Sequence, residues 1–187
     1  ALFSPPLLLR PPPSLPLYVA CALGIWNWLP RHLIAQGIPE SRALNILSFG
    51  FALGLLLGRV AVSPILIHVA PVRVTLWAAV FMAATTFLML RTNKPVTAAV
   101  LVFLAGVSMA PVFPTTLAIV GSAFPQMTAT ATGFAITCGW AGLALSSPLI
   151  GAIAGLDPAR LKKALLLLPA LSVLMIAVNF AIQAALR

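Results

Sequence analysis

Six long apolar stretches, separated by short polar links, most constrain how this chain can fold. Each exceeds about 18 residues and holds at most one charged side chain, so each can cross the roughly 30 Å hydrocarbon core as an α-helix. An open sheet would leave backbone groups unpaired in lipid, and a barrel would need alternating polarity. The sequence therefore predicts an all-α membrane protein with six transmembrane helices. The predicted spans are Leu15–Ala35, Ala43–Ile67, Val72–Leu90, Val96–Gly121, Thr130–Gly155 and Lys163–Leu186.

The composition excludes several function classes. Of the 187 residues, 61% are hydrophobic and 7% are charged, with a mean hydropathy of +1.11, whereas soluble domains carry roughly a quarter charged residues. The net charge of +9 fits loops that flank a membrane, and no basic stripe indicates nucleic-acid binding. No carboxylate pair, phosphate-binding loop or metal-ligand spacing is present, so we expect no enzyme, no cofactor and no metal site. Cys21 and Cys138 are expected to be packing residues.

The first residues differ from the rest. Residues 1–14 are rich in proline and predict an extended linker that enters the membrane region. Residues 15–187 form the predicted transmembrane domain. A linker with nothing before it suggests that the chain is a fragment, and the linker is then the tail of a central loop.

Two prolines interrupt the fourth stretch. The apolar run from Val96 to Ala110 is too short to span, so the helix must continue through Pro111 and Pro114. Such a break is tolerated where neighbours or water satisfy the freed carbonyl groups. Two interpretations remain open: the broken helix lines a cavity and gates it, or the kink serves packing alone.

The chain shows signs of an internal repeat. Pro114 follows Pro30 by 84 residues, and the sequence "GFAI" at Gly133 follows "GFAL" at Gly50 by 83. Two units of three helices, at about 15–90 and 96–186, would produce this offset, and an odd number of helices inverts the second unit. Proline-broken helices at matching positions of inverted units are typical of transport sites.

Small residues mark two helix faces. Gly50, Gly54 and Gly58 recur at every fourth position, and Gly151 and Gly155 do the same, which allows another helix to approach closely. A sliding surface and fixed packing are both compatible with this pattern.

Several polar or aromatic residues within the apolar stretches are candidates for solute binding. Asn27 lies beside Trp28, a pairing suited to a sugar or to a helix–helix hydrogen bond. Arg59 either has a buried role or extends to the membrane surface. Thr115 follows the proline break, and Thr137 and Trp140 share one helix face with Ala144 and Ser147, although hydroxyl groups often bond only to their own helix.

Several segments resemble the major facilitator superfamily of transporters. "GFALGLLLGRV" with "HVAPVRV" resembles the helix 8 to helix 9 region, and the segment from "PVFPTT" to "GAIAG" resembles helices 10 and 11. "LPLYVACALGIWNWLPRHLIAQG" then resembles helix 7. Within the superfamily, the fucose permease-like group of sugar–proton symporters is most similar.

The resemblance implies the carboxy-terminal half of a twelve-helix transporter of the bacterial inner membrane. Its partners would be a small solute, a coupling proton and the missing amino-terminal half. It also implies that Asn27, Arg59, Thr115, Thr137 and Trp140 contribute to a central cavity. Here no carboxylate lies inside a span, so the proton-coupling acid would belong to the missing half. The distribution of Lys and Arg favours the opposite orientation to the family's.

The leading hypothesis is therefore half of a secondary transporter that moves a small polar solute, favoured to be a sugar, by alternating access. The alternatives are a six-helix scaffold or assembly subunit and a half-size transporter that works as a homodimer.

Overall fold

A computed structural model describes residues 14–155 and 157–185, and nothing but helices and short turns is found in these two ranges. This confirms the all-α prediction. We number the helices α1 (Ser14–Ala35), α2 (Glu40–Val62), α3 (Ile65–His68), α4 (Pro71–Arg91), α5 (Pro95–Ala123), α6 (Thr128–Ala154), α7 (Pro158–Leu165) and α8 (Leu167–Ala185). The predicted linker, residues 1–14, lies outside the described residues except for Ser14, which begins α1.

Five helices of the described chain are long and apolar enough to cross a membrane: α2, α4, α5, α6 and the run Pro158–Ala181 through α7 and α8. The protein is therefore a multi-pass membrane protein. The remaining predicted span, Leu15–Ala35, coincides with α1, which has 22 residues but is not among the five. Trp26, Asn27, Trp28, Arg31 and His32 lower the hydropathy of its second half.

The last span begins earlier than the predicted Lys163. Asp157 caps α7, since its Oδ1 accepts a hydrogen bond from the Ala159 N–H at 2.8 Å. The helix α7 is amphipathic, with Leu161 and Leu165 buried while Lys162 and Lys163 are exposed. Lysines thus lie on the outer face of a helix that begins before the apolar run does.

The prolines lie within the spans without ending them. Helix α5 consists of the segments Pro95–Met109 and Val112–Ala123, joined by a turn at Ala110 and Pro111. Both turn residues keep right-handed helical φ and ψ angles, so the chain continues in one direction. Pro114 lies in the first turn of the second segment, where the missing N–H costs little. Pro30 lies inside α1, which continues to Ala35.

Helices α2 and α5 approach each other most closely at glycines. A Cβ atom at Gly54 would lie 3.1 Å from the Gly106 Cα and would collide with the Phe103 carbonyl oxygen. One at Gly58 would lie 2.6 Å from the Ala110 Cβ. Since the contacts advance in the same order along both helices, α2 and α5 run parallel.

The remaining predicted packing glycines differ from these two. Gly50 makes only ordinary contacts at 3.6 Å, and Gly151 lies 3.2 Å from the Trp28 ring. Gly155 ends α6 at φ +54°, and a Cβ there would meet no atom within 4 Å. Its predicted packing role is replaced by helix termination, because a positive φ is accessible to glycine at little cost.

Helices α1 and α6 form a second parallel pair. A Cβ at Gly142 would collide with the Pro16 carbonyl oxygen near the start of α1, and Gly151 meets Trp28 two to three turns further along both helices. Because the short link at residues 36–39 reverses the chain between α1 and α2, the two parallel pairs point in opposite directions.

The other helices complete the bundle. Helix α4 packs against α5 and α8, and α8 also packs against α1. Thr75 near the start of α4 donates a hydrogen bond of 2.9 Å to the Asn179 Oδ1 near the end of α8, so these two helices are antiparallel. Helices α2 and α6 are the least covered, with 28% and 17% of their most apolar windows buried.

Candidate functional site

An open cavity of about 430 Å³ lies between α1 and α6, and we call it the α1–α6 cavity. It contains two of the predicted solute-binding residues, Asn27 and Trp28. The opposite wall belongs to α6. Its lining from α6 consists of Leu143, Ala144, Ser147, Pro148 and Gly151.

Trp28 is held in place on three sides. Its Nε1 donates a hydrogen bond of 3.2 Å to the Ser147 Oγ, which links α1 to α6. One edge of the indole lies on Gly151, where a side chain would displace it. The Arg31 guanidinium carbon lies 5.9 Å from the ring centroid, within range of a cation–π interaction. The cavity wall is therefore preorganised.

Polar groups converge on the same cavity. Asn27 is exposed beside Trp28, and its amide can both donate and accept hydrogen bonds. Pro148 has no N–H, so the Ala144 carbonyl lacks its usual helical donor. The cavity thus combines an amide, a hydroxyl and a free carbonyl with one aromatic surface, as expected of a site for a small polar ligand.

The structure does not bring every predicted residue to this cavity. Thr137 lies about two turns before Ala144 on α6. Its hydroxyl donates a hydrogen bond of 3.0 Å to the Gly133 carbonyl of the same helix. Trp140 is 58% exposed and does not line the cavity. Ser147 and Ala144 follow them on the face that the sequence pattern defined. Pro148 was not predicted, although a proline inside an apolar stretch was the signal that singled out Pro30.

A second open cavity of about 340 Å³ lies between α2 and α5, and we call it the α2–α5 cavity. Arg59 in the last turn of α2 and Ser63 just after it form one side. Pro111 and Pro114, at the break of α5, form the other. The proline break therefore lines a cavity, although its contribution to gating stays a prediction. The remaining lining residues are Val62, Leu66 and Phe113.

Thr115 does not line either cavity. Its side chain is 1% exposed, and within the described parts of the chain its Oγ1 has no hydrogen-bond partner. The neighbouring Thr116 is in the same state. Ser108, before the break, donates to the Ala105 carbonyl at 2.8 Å. Hydroxyl groups thus surround the break in α5 without forming a shared site.

The two cavities lie toward opposite ends of the bundle. The Gln36 Nε2, just after α1, donates to the Thr92 carbonyl at 3.2 Å, so the ends of α1 and α4 meet; we call this the Gln36 end. The α1–α6 cavity lies in the half of α1 nearer to it. The α2–α5 cavity lies where α2 ends, at the opposite end.

Comparisons with known proteins do not identify this arrangement: no family model, no curated protein and no solved structure matches the chain.

Proposed function

We propose that the chain is one six-helix half of a secondary transporter, in which two inverted three-helix units form part of a solute pathway. The observation that carries this proposal is the pair of parallel helix crossings, α1 with α6 and α2 with α5. They point in opposite directions, and each opens into a cavity.

Exchanging the two units maps the packing onto itself. Let α1, α2 and α4 correspond to α5, α6 and α8, where α1 is counted as a span in addition to the five. The contact of α1 with α6 then becomes that of α5 with α2, and the contact of α1 with α8 becomes that of α5 with α4. The contact between α4 and α8 maps onto itself. The sequence offsets of 83 and 84 residues agree with this correspondence between helices, and they make Pro30 in α1 equivalent to Pro114 in α5.

The chemistry of the α1–α6 cavity supports a neutral, hydroxyl-rich solute. Asn27, Ser147 and the Ala144 carbonyl offer hydrogen bonds, while Trp28 offers an apolar surface for the C–H face of a ring. A sugar combines both features, so sugars are the first solutes to test. Thr137 and Trp140 would then contact solute only if the rest of the transporter closes over their exposed face.

The exposed faces of α2 and α6 support a missing amino-terminal half as the partner. These helices correspond to each other under the exchange, and both present long apolar side chains to the outside. Such faces suit lipid, another half, or both. We place the complete protein in the bacterial inner membrane and assign coupling to a proton. The acid would come from the other half, because Glu40 and Asp157 lie at helix starts.

Uptake by the complete protein tests this proposal. Cells that express it are given a panel of radiolabelled sugars with and without a proton gradient. We expect Asn27→Ala to reduce uptake of the transported sugar at least about fivefold, since one lost polar contact at a solute site costs about 1–3 kcal/mol. The matched control is Asn45→Ala, because Asn45 is exposed on α2 and lines neither cavity.

Equal uptake by both variants at normal abundance would remove Asn27 from the site. An immunoblot of source membranes gives the size of the native polypeptide. A band near twice 19.5 kDa agrees with a half of a larger protein. A band at 19.5 kDa would instead support the homodimer or scaffold alternatives.

A further inference from the structure

The α2–α5 cavity contains a positive charge that has no ion-pair partner among the residues that the structure describes. Arg59 is exposed to the cavity, and the sequence has only two acidic side chains. Glu40 begins α2, 19 residues before Arg59, or about 28 Å along the helix. Asp157 lies at the Gln36 end, where its Oδ2 is 3.6 Å from the Arg160 Nε. Placing a cation in apolar surroundings costs free energy unless a counter-charge lies nearby. We therefore expect an anion from outside the chain to bind in this cavity.

The groups around Arg59 suit an oxyanion. The Ser63 hydroxyl lines the same cavity and can donate a hydrogen bond. Pro111 and Pro114 contribute no N–H and no charge, and Phe113 adds an apolar wall. Low polarity around the guanidinium strengthens its attraction to an anion, and its planar fork matches the oxygens of a phosphate in a bidentate contact.

The position of the cavity relative to the membrane favours a lipid as the source of the anion. Helix α5 has 29 residues, about 43 Å, which matches a bilayer with its headgroup regions. Helix α2 ends at Val62, but Ser63 and Pro64 keep right-handed helical angles, so α3 extends the helical path to His68, nine residues after Arg59. Pro114 likewise lies nine residues before α5 ends at Ala123. That is about 13 Å from the end, or about one helical turn inside the hydrocarbon core, from which an arginine side chain reaches the headgroups.

The surface beside the cavity fits acyl chains. Val60 is 66% exposed and Ile67 is 77% exposed on either side of Ser63, and Leu56 is exposed one turn earlier. A soluble anion would gain nothing from these side chains, whereas a phospholipid would cover them. Arg73 lies at the same end of the bundle and adds positive charge near the headgroup level.

We propose that the α2–α5 cavity binds the phosphate of an anionic phospholipid, with Arg59 as the bidentate donor and the exposed face of α2 against the acyl chains. This inference is independent of transport, because it concerns a lipid that remains bound while a solute moves elsewhere.

Lipid titration of the purified full chain tests the proposal. Native mass spectrometry follows retention of dioleoylphosphatidylglycerol, with dioleoylphosphatidylcholine as the zwitterionic comparison. We expect tighter binding of the anionic lipid and a loss of about tenfold in its affinity in Arg59→Gln. The matched control is Arg91→Gln, because Arg91 is also exposed in the last turn of a spanning helix, at the other end. Its affinity should stay within about twofold of wild type.

Three outcomes would overturn the proposal. The first is equal binding by Arg59→Gln and Arg91→Gln. The second is displacement of phosphatidylglycerol by inorganic phosphate at millimolar concentration, which would make this a site for a soluble anion. The third applies if size-exclusion chromatography shows that Arg59→Gln does not fold. Arg59→Lys then replaces it, and an affinity equal to wild type would exclude the bidentate contact.

Discussion

The two cavities share one construction and differ in what holds them open. In each, two parallel helices meet closely at a glycine, Gly142 or Gly54, and then diverge where a proline interrupts a helix. Across the α1–α6 cavity, the hydrogen bond from Trp28 to Ser147 joins the walls. Across the α2–α5 cavity, no side-chain hydrogen bond joins the described residues of α2 and α5. The first crossing thus adds a specific polar contact to the steric fit at Gly142, whereas the second depends on steric fit between backbones.

The largest expected effect tests steric fit at the α2–α5 crossing. In Gly54→Ala, the new methyl group would collide with the Phe103 carbonyl and with Gly106, so two backbones must separate. Overpacking of this kind costs about 1–3 kcal/mol, and we expect the upper end because backbone atoms cannot change rotamer. The midpoint of thermal unfolding in detergent measures the loss.

Gly133→Ala on α6 is the matched control for this substitution. A Cβ at Gly133 would meet no heavy atom within 4 Å, and alanine favours a helix over glycine by up to about 1 kcal/mol. The unfolding midpoint should therefore stay or rise. Similar midpoints for Gly54→Ala and Gly133→Ala would show that α2 and α5 separate at no cost, and the comparison between the cavities would lose its basis.

The close crossing at Gly54 was predictable from the sequence because glycines at every fourth position of an apolar helix leave a face that another helix can approach closely. The same pattern overstated Gly155, since four-residue spacing does not show where a helix ends. The boundary of the last span was missed for a related reason. Hydropathy marks the lipid-exposed core of a helix, whereas α7 begins with an aspartate cap and a charged outer face.

The next effect tests the polar contact across the α1–α6 cavity. Trp28→Phe removes the indole N–H, and Ser147→Ala removes its acceptor. We expect the two changes to be coupled by about 1 kcal/mol, the net value of one hydrogen bond. Unfolding of both single variants and of the double variant gives the coupling.

Ser63→Ala supplies the control for this cycle. Ser63 lines the α2–α5 cavity at the other end of the bundle, so its effect should add to that of Trp28→Phe within about 0.5 kcal/mol. Coupling of Trp28 to Ser63 as strong as to Ser147 would mean that the two cavities open and close together.

The contents of the two cavities were only partly predictable. Asn27 and Trp28 stood out because polar and aromatic neighbours are rare inside an apolar stretch, and Arg59 because of the cost of a charge. The sequence signal for Ser147 was weaker, since most hydroxyl groups bond to their own helix, as those of Thr137 and Ser108 do. What separates Ser147 from Thr137 is its position opposite Trp28. That position depends on the parallel packing of α1 and α6, which no local pattern encodes.

The smallest effect concerns the cations near the two cavities. Arg31 already has a partner, the face of Trp28, whereas Arg59 has no ion-pair or aromatic partner among the described residues. An exposed cation–π contact is worth about 0.5–1 kcal/mol, so Arg31→Gln should lower the stability by about 0.5 kcal/mol. The same substitution should have no effect in a Trp28→Leu background, because the ring is then gone.

Arg42→Gln, on an exposed part of α2, is the control for loss of charge alone. If Arg31→Gln lowers the unfolding midpoint equally with and without Trp28, then Arg31 acts as a free surface charge. The proposed difference between the two cavities, a cation that contacts an aromatic ring at one and a cation without a partner in the described residues at the other, would then be wrong.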